Sequence, residues 1–184
     1  MKILTVYDSN AKLLEQKSQP INLDVEEGLL EAKNIISALK DTIIPLMPAA
    51  GLAAPQIDIF KQVFIYNWNR QIENLEIVIN PIIKPLEDEL NFDWELCFSA
   101  ISDNCYKAAY IPRFSKIIAS YYDIDGGHKN KLLEGFVARI FQHEFDHLLG
   151  IVNINKEGSK VREFPNKEEC IDFFKEIREK QPIK

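Results

Sequence analysis

The sequence predicts an α+β fold in which short antiparallel strands surround a central metal-binding helix, with one helix before them and another at the C-terminal side. Three observations predict it. Apolar residues recur at helical spacing in three separated segments. Short β-branched runs lie between the first two of these segments, and an Asp-Gly-Gly turn joins two further strand-like runs. At roughly 150 residues per domain, the 184 residues are expected to form one domain spanning 1–184.

Each element has its own signature. Between Asp24 and Asp41, the residues Val25, Leu29, Ala32, Ile36 and Leu39 fall on one helical face, and Asp24 is the predicted N-cap. The runs VFIYN (63–67) and IVINPII (77–83) read as short buried strands. Residues 116–135 read as a hairpin turning at Asp125, Gly126 and Gly127. After Gly135, the residues Val137, Ile140, Phe141, Phe145 and Leu148 form a second helical stripe, which Gly150 ends. Pro165 and Asn166 introduce a last helix whose apolar face is Cys170, Phe173, Phe174 and Ile177, with Glu169 completing a capping box.

Composition narrows the function classes. Apolar residues make up 46% and charged residues 27%, which excludes compositional disorder. A net charge of −6 argues against a DNA-coating surface. The longest apolar stretch, Ile43 to Ile57, is about 15 residues and is broken by prolines, short of the ~20 a bilayer needs, so no membrane span is expected. The start, MKILTVYDSN, is too short a hydrophobic run for a secretory signal. Three scattered cysteines make no disulfide framework, and together these features point to the cytoplasm.

The chemistry concentrates in the second helix. Of three histidines, His143 and His147 flank Glu144 in His-Glu-Phe-Asp-His. Positions i and i+4 share a helix face, so both imidazoles can reach one ion, and Glu144 can address water beside it. A divalent ion lowers the pKa of a water that it binds towards ~7, where a carboxylate can take its proton. The third ligand stays open on the residues alone. Glu168 or Glu169 on the last helix would suit a zinc endopeptidase, while Cys97 offers a thiolate.

Three ordered motifs, Gly51-Leu-Ala-Ala-Pro-Gln56, Glu95-Leu-Cys-Phe-Ser99 and Gln142-His-Glu-Phe-Asp-His-Leu-Leu-Gly150, resemble those of the peptide deformylases, especially the bacterial group that ends in a helix. Ile111-Pro-Arg113 and the Tyr122–Gly127 hairpin extend the likeness. The resemblance implies Cys97, His143 and His147 as ligands of one divalent metal, Fe²⁺ in the family and replaceable by Zn²⁺, Ni²⁺ or Co²⁺. It implies Glu144 as general base, with Gln56 and the backbone N–H of Phe98 stabilising an oxyanion. Ala50, Gly51, Leu96, Phe136 and Ile140 would contact the substrate. That substrate would be a formyl-methionyl peptide or nascent chain, met near the ribosome. Arg113 would pair with Glu95 or Asp146 and orient the metal motifs. The sequence departs from the family pattern where Ala49 and Leu96 replace glycines and Phe98 replaces leucine. A side chain at Leu96 is expected to crowd the peptide cleft, so an altered or lost activity is the alternative reading. Cys105 and Cys170 read as structural thiols, and His128 as an exposed turn residue.

Overall fold

A computed structural model describes residues 1–180. Helix α1 spans Glu26–Ile43 and buries Ala32, Ile35, Ile36, Leu39 and Ile43; of the predicted face Ala32, Ile36 and Leu39 are buried, Leu29 is half-buried, and Val25, outside the helix, is exposed. Its cap falls on Val25, one residue later than expected, and Val25 makes no side-chain cap. The N–H of Asp24 is drawn into a turn by Asn22 Oδ1 at 3.1 Å, and Glu26 and Glu27 then meet the positive end of the helix.

Two antiparallel sheets follow. The first has the order β1-β2-β3-β6-β7, from β1 (Gly51–Ala53), β2 (Val63–Tyr66), β3 (Glu76–Pro85), β6 (Lys116–Tyr122) and β7 (His128–Glu134). The second has the order β4-β5-β8, from β4 (Leu90–Ser102), β5 (Cys105–Phe114) and β8 (Lys160–Phe164). The predicted β6–β7 hairpin is present, paired from Lys116↔Glu134 to Tyr122↔His128. The strands are not all short. β4 has 13 residues, and the β4–β5 hairpin, β1 and β8 were not anticipated.

Helix α2 (Gly135–Leu148) contacts β1, β2 and β7 of the first sheet and β5 of the second. On the first side, Phe141 sits in a cage of Phe64, Tyr66 and Tyr121 with ring centroids 4.9–5.8 Å away. Gly150 ends the helix at φ +77°, and a Cβ there would fall 2.3 Å from the Glu15 carbonyl oxygen. Helix α3 (Lys167–Lys180) lies outside the second sheet, where Cys170 and Phe173 pack on Ala108, Phe164 and Trp94. Asn166 Oδ1 accepts the Glu169 N–H at 2.9 Å, as the capping signal predicts. The Glu169 carboxylate takes the Asn166 side-chain amide instead of the cap backbone. Among the described residues, no helix is long and apolar enough to cross a membrane.

Candidate metal centre

The centre forms where α2 faces β4. On α2, His143 and His147 stand one turn apart with ring centroids 5.2 Å from each other. On β4, Glu95 and Cys97 are both buried, two residues apart on the inward face, while Leu96 between them is 39% exposed on the outward one. The register of β4 with β5 breaks between Leu96 and Ile101, so Cys97 sits where the backbone leaves the regular ladder. Ligand atoms of Cys97, His143 and His147 all lie within 4.8 Å of one another, and Cys97 Sγ is 3.3 Å from His147 Nε2. Sulfur and nitrogen donors around one tetrahedral ion stand about 3.4–3.6 Å apart, so the donor set fits a single divalent ion.

The donors are held by an ionic network. Glu95 Oε2 is 2.7 Å from His143 Nδ1, which leaves Nε2 of that ring for the cluster. Arg113 donates to both oxygens of Glu95, at 3.0 and 2.9 Å, and also to Asp146. Both expected partners of Arg113 are therefore engaged. Arg139, one turn before His143 on α2, donates to Glu95 Oε1 at 2.8 Å and to the Asn91 carbonyl at 2.6 Å. Lys156 reaches both oxygens of Asp146, at 3.0 and 2.8 Å. Burial alone would raise the Glu95 carboxyl, but Arg113 and then His143 hold it well below the usual carboxylate range. His147 is pushed down by burial, and further by His143 and Arg113, which keeps it neutral as a ligand must be.

Glu144 lies on the same helix, buried, and its Oε2 has no hydrogen-bond partner. Burial pushes its carboxyl up to about 7, with His143 opposing and Glu95 adding to the shift. Gly51 packs directly against it: a Cβ at Gly51 would stand 2.4 Å from Glu144 Oε1. Gln56 is buried, contrary to the surface position a loop after Pro55 suggests. Its Oε1 accepts the Ala53 N–H at 2.9 Å, and its Nε2 lies 3.1 Å from Ser99 Oγ and 3.7 Å from Cys97 Sγ. The amide is thus held with its donor end towards the cluster. Phe98 is half-buried against the α1 core.

A family model for polypeptide deformylase matches residues 1–163. The chain belongs to the peptide deformylase family. It is 32% identical over 196 aligned positions to peptide deformylase 2 of Rickettsia conorii, an alignment covering all of this chain and 93% of that protein. Peptide deformylase 2 of Ralstonia nicotianae is 35% identical over 127 positions, covering 64% of this chain and 70% of that one. Among solved structures, a Plasmodium falciparum peptide deformylase superposes with a TM-score of 0.70 at 29% identity, covering 97% of this chain and 92% of that one. The Thermotoga maritima enzyme gives 0.69 at 29%, over 84% and 95% of the two chains.

Ala49 is buried in the α1 core, and Leu96 points away from the cluster. Glu168 and Glu169, the endopeptidase alternative, sit exposed on the first turn of α3 and are not among the clustered donors. Ile140 is buried, Ala50 half-buried, and Phe136 is 45% exposed with the Arg70 guanidinium 5.6 Å over its ring. His128 is exposed, Cys170 is buried, and Cys105 lies 3.1 Å from the Tyr7 hydroxyl. Sequence reasoning passed over Lys156, and over Asn153, whose amide donates to the Glu95 carbonyl at 3.0 Å. It also left out the bond from Glu95 to His143. Period-two alternation could have found that one, since Glu95 must share a face with Cys97.

Proposed function

We propose that this deformylase removes the formyl group, as formate, from N-terminal formyl-methionine of nascent proteins in the cytoplasm, close to the ribosome. The carrying observation is the convergence of Cys97, His143 and His147 beside Glu144, a buried carboxyl whose Oε2 has no partner. The three donors would hold one divalent ion, Fe²⁺ by family resemblance, with Zn²⁺, Ni²⁺ or Co²⁺ able to replace it. When bound, the ion supplies Lewis acidity that makes water a better acid and draws charge from a carbonyl oxygen.

The chain's own groups do the rest. Glu144 takes the proton of the attacking water and hands it to the leaving amine. Gln56 Nε2 and the Phe98 N–H donate to the oxygen that becomes negative as the formyl carbon turns tetrahedral; one such donor contributes about 3 kcal/mol of barrier lowering. Ala50, Phe136 and Ile140 supply the apolar wall for methionine, and Gly51 leaves room for Glu144 and for the peptide. Anaerobic purification, metal analysis and formate release from formyl-Met-Ala-Ser test the proposal. Stoichiometric metal without formate release would overturn it.

A further inference from the structure

Strand β4 carries an apolar row that the proposed chemistry does not use. Leu90, Phe92, Trp94 and Leu96 alternate along its outward face, and Leu90, Phe92 and Leu96 are exposed by 45%, 47% and 39%. Trp94 is partly covered, with its ring centroid 5.5 Å from Tyr110 and 5.0 Å from Phe173.

The hydrogen-bonding edge beside this row is open. β4 is the terminal strand of its sheet. Phe92 pairs with Pro112, which has no N–H, so this pair is of the non-hydrogen-bonded kind. In an antiparallel ladder the two kinds alternate, so Trp94↔Tyr110 and Leu96↔Ala108 are of that kind too. The backbone groups of Trp94 and Leu96 therefore point away from β5. Trp94 N–H is satisfied by the adjacent Asp93 Oδ1 at 2.8 Å, which leaves Leu96 as the open station next to Cys97.

The direction of an added strand follows. Beyond Cys97 the cleft is closed by the N-terminal segment, where Leu4 N–H donates to the Gln56 carbonyl at 2.7 Å and Val6 N–H to the Ser99 carbonyl at 2.8 Å. A peptide with its formyl end at the cluster must leave along β4 from Leu96 towards Leu90. Its methionine side chain turns inward, to the side of Ile140. Successive side chains alternate, so the second residue turns outward, and directly opposed residues share a face.

We propose that Leu96, continued by Trp94, is a specificity ridge that selects formylated peptides with a large apolar side chain at the second residue, and more weakly at the fourth. The inference rests on the deformylase reading above and names the substrate class of that same site. Covering roughly 55 Å² of apolar surface corresponds to about a tenfold gain. The third side chain faces away from the ridge and should be read far more weakly.

The test measures kcat/KM for formate release from formyl-Met-Phe-Ser, formyl-Met-Gly-Ser and formyl-Met-Gly-Phe, using metal-loaded wild type and Leu96→Ser. We expect wild type to favour Phe at the second residue over Gly about tenfold, and Phe at the third by less than about threefold. In Leu96→Ser the second-residue preference should fall to within about twofold. Wild type that releases formate equally from all three peptides, or follows the third residue, overturns the ridge and leaves the deformylase reading intact. A preference that survives in a folded, metal-replete Leu96→Ser also overturns it. Absence of formate from every peptide overturns the deformylase reading itself.

Discussion

Substituting Gly51 by alanine tests how Glu144 is held. The new Cβ would stand 2.4 Å from Glu144 Oε1, 2.7 Å from Cδ and 2.8 Å from Cγ, where ordinary contact begins at 3.4 Å. The carboxylate must therefore retreat by about 1 Å, or β1 must move off α2 by as much. A displacement of ~1 Å of a reacting group costs about 100-fold in rate. Overpacking of this kind also destabilises by about 1–3 kcal/mol, or roughly 2–12 °C in Tm for a chain of this size. Cys97, His143 and His147 are not among the atoms nearest that Cβ, so metal content should stay stoichiometric. Formate release, metal per protomer and a melting curve on the same preparation read all three quantities. A fully metallated Gly51→Ala protein within threefold of the wild-type rate would show that Glu144 is free to sit elsewhere, and the reasoning would fail.

Three further outcomes are expected. Cys97→Ala should abolish stoichiometric metal binding, while Glu168→Gln and Glu169→Gln leave it intact; metal analysis giving the reverse would restore the endopeptidase ligand set. Arg113→Met takes from Glu95 and Asp146 the guanidinium they share, leaving Arg139 and His143 to the one and Lys156 to the other, so it should lower stability by about 1.5–3 kcal/mol and weaken metal affinity roughly 10–100-fold, read by denaturant melts and chelator competition. Glu144→Gln should stabilise the metal-free protein at pH 8. A carboxyl pushed up to about 7 from an ordinary 4.5 disfavours folding once ionised, by about 3 kcal/mol above pH 7. That penalty fades as pH falls through 7 and is absent below about 4.5, so the gain should vanish there; a pH-independent difference in denaturant midpoint would contradict the buried, isolated carboxyl.

The sequence carried the helices and the donors unevenly. α2 was legible because Ile140, Phe141 and Leu148 repeat at helical spacing while His143 and His147 fall one turn apart. β2 and the β6–β7 hairpin were legible from β-branched runs and a Gly-Gly turn. β4 was not, and its alternation is inverted: Phe92, Trp94 and Leu96 face outward, whereas Glu95 turns inward to meet Arg113, Arg139 and His143. A reader who assigns apolar residues to the core places this strand the wrong way round. Gln56 was legible only by likeness to a family, since nothing local distinguishes an amide held by Ala53 and Ser99 from a loop residue in water. The partnership of Lys156 with Asp146 depends on how the chain returns after Gly150, which spacing alone does not encode.

The ring of charge around Glu95 has a consequence for how the protein exchanges its ion. Small zinc domains fold only when metal gathers their ligands. Here Arg113, Arg139 and Asn153 hold Glu95, and Glu95 in turn holds His143, so folding itself brings the donors together. A chelator should then leave a native chain and not an unfolded one. Ions of different softness can succeed one another in the same cradle, and which one resides there in a cell becomes a matter of supply as much as of shape.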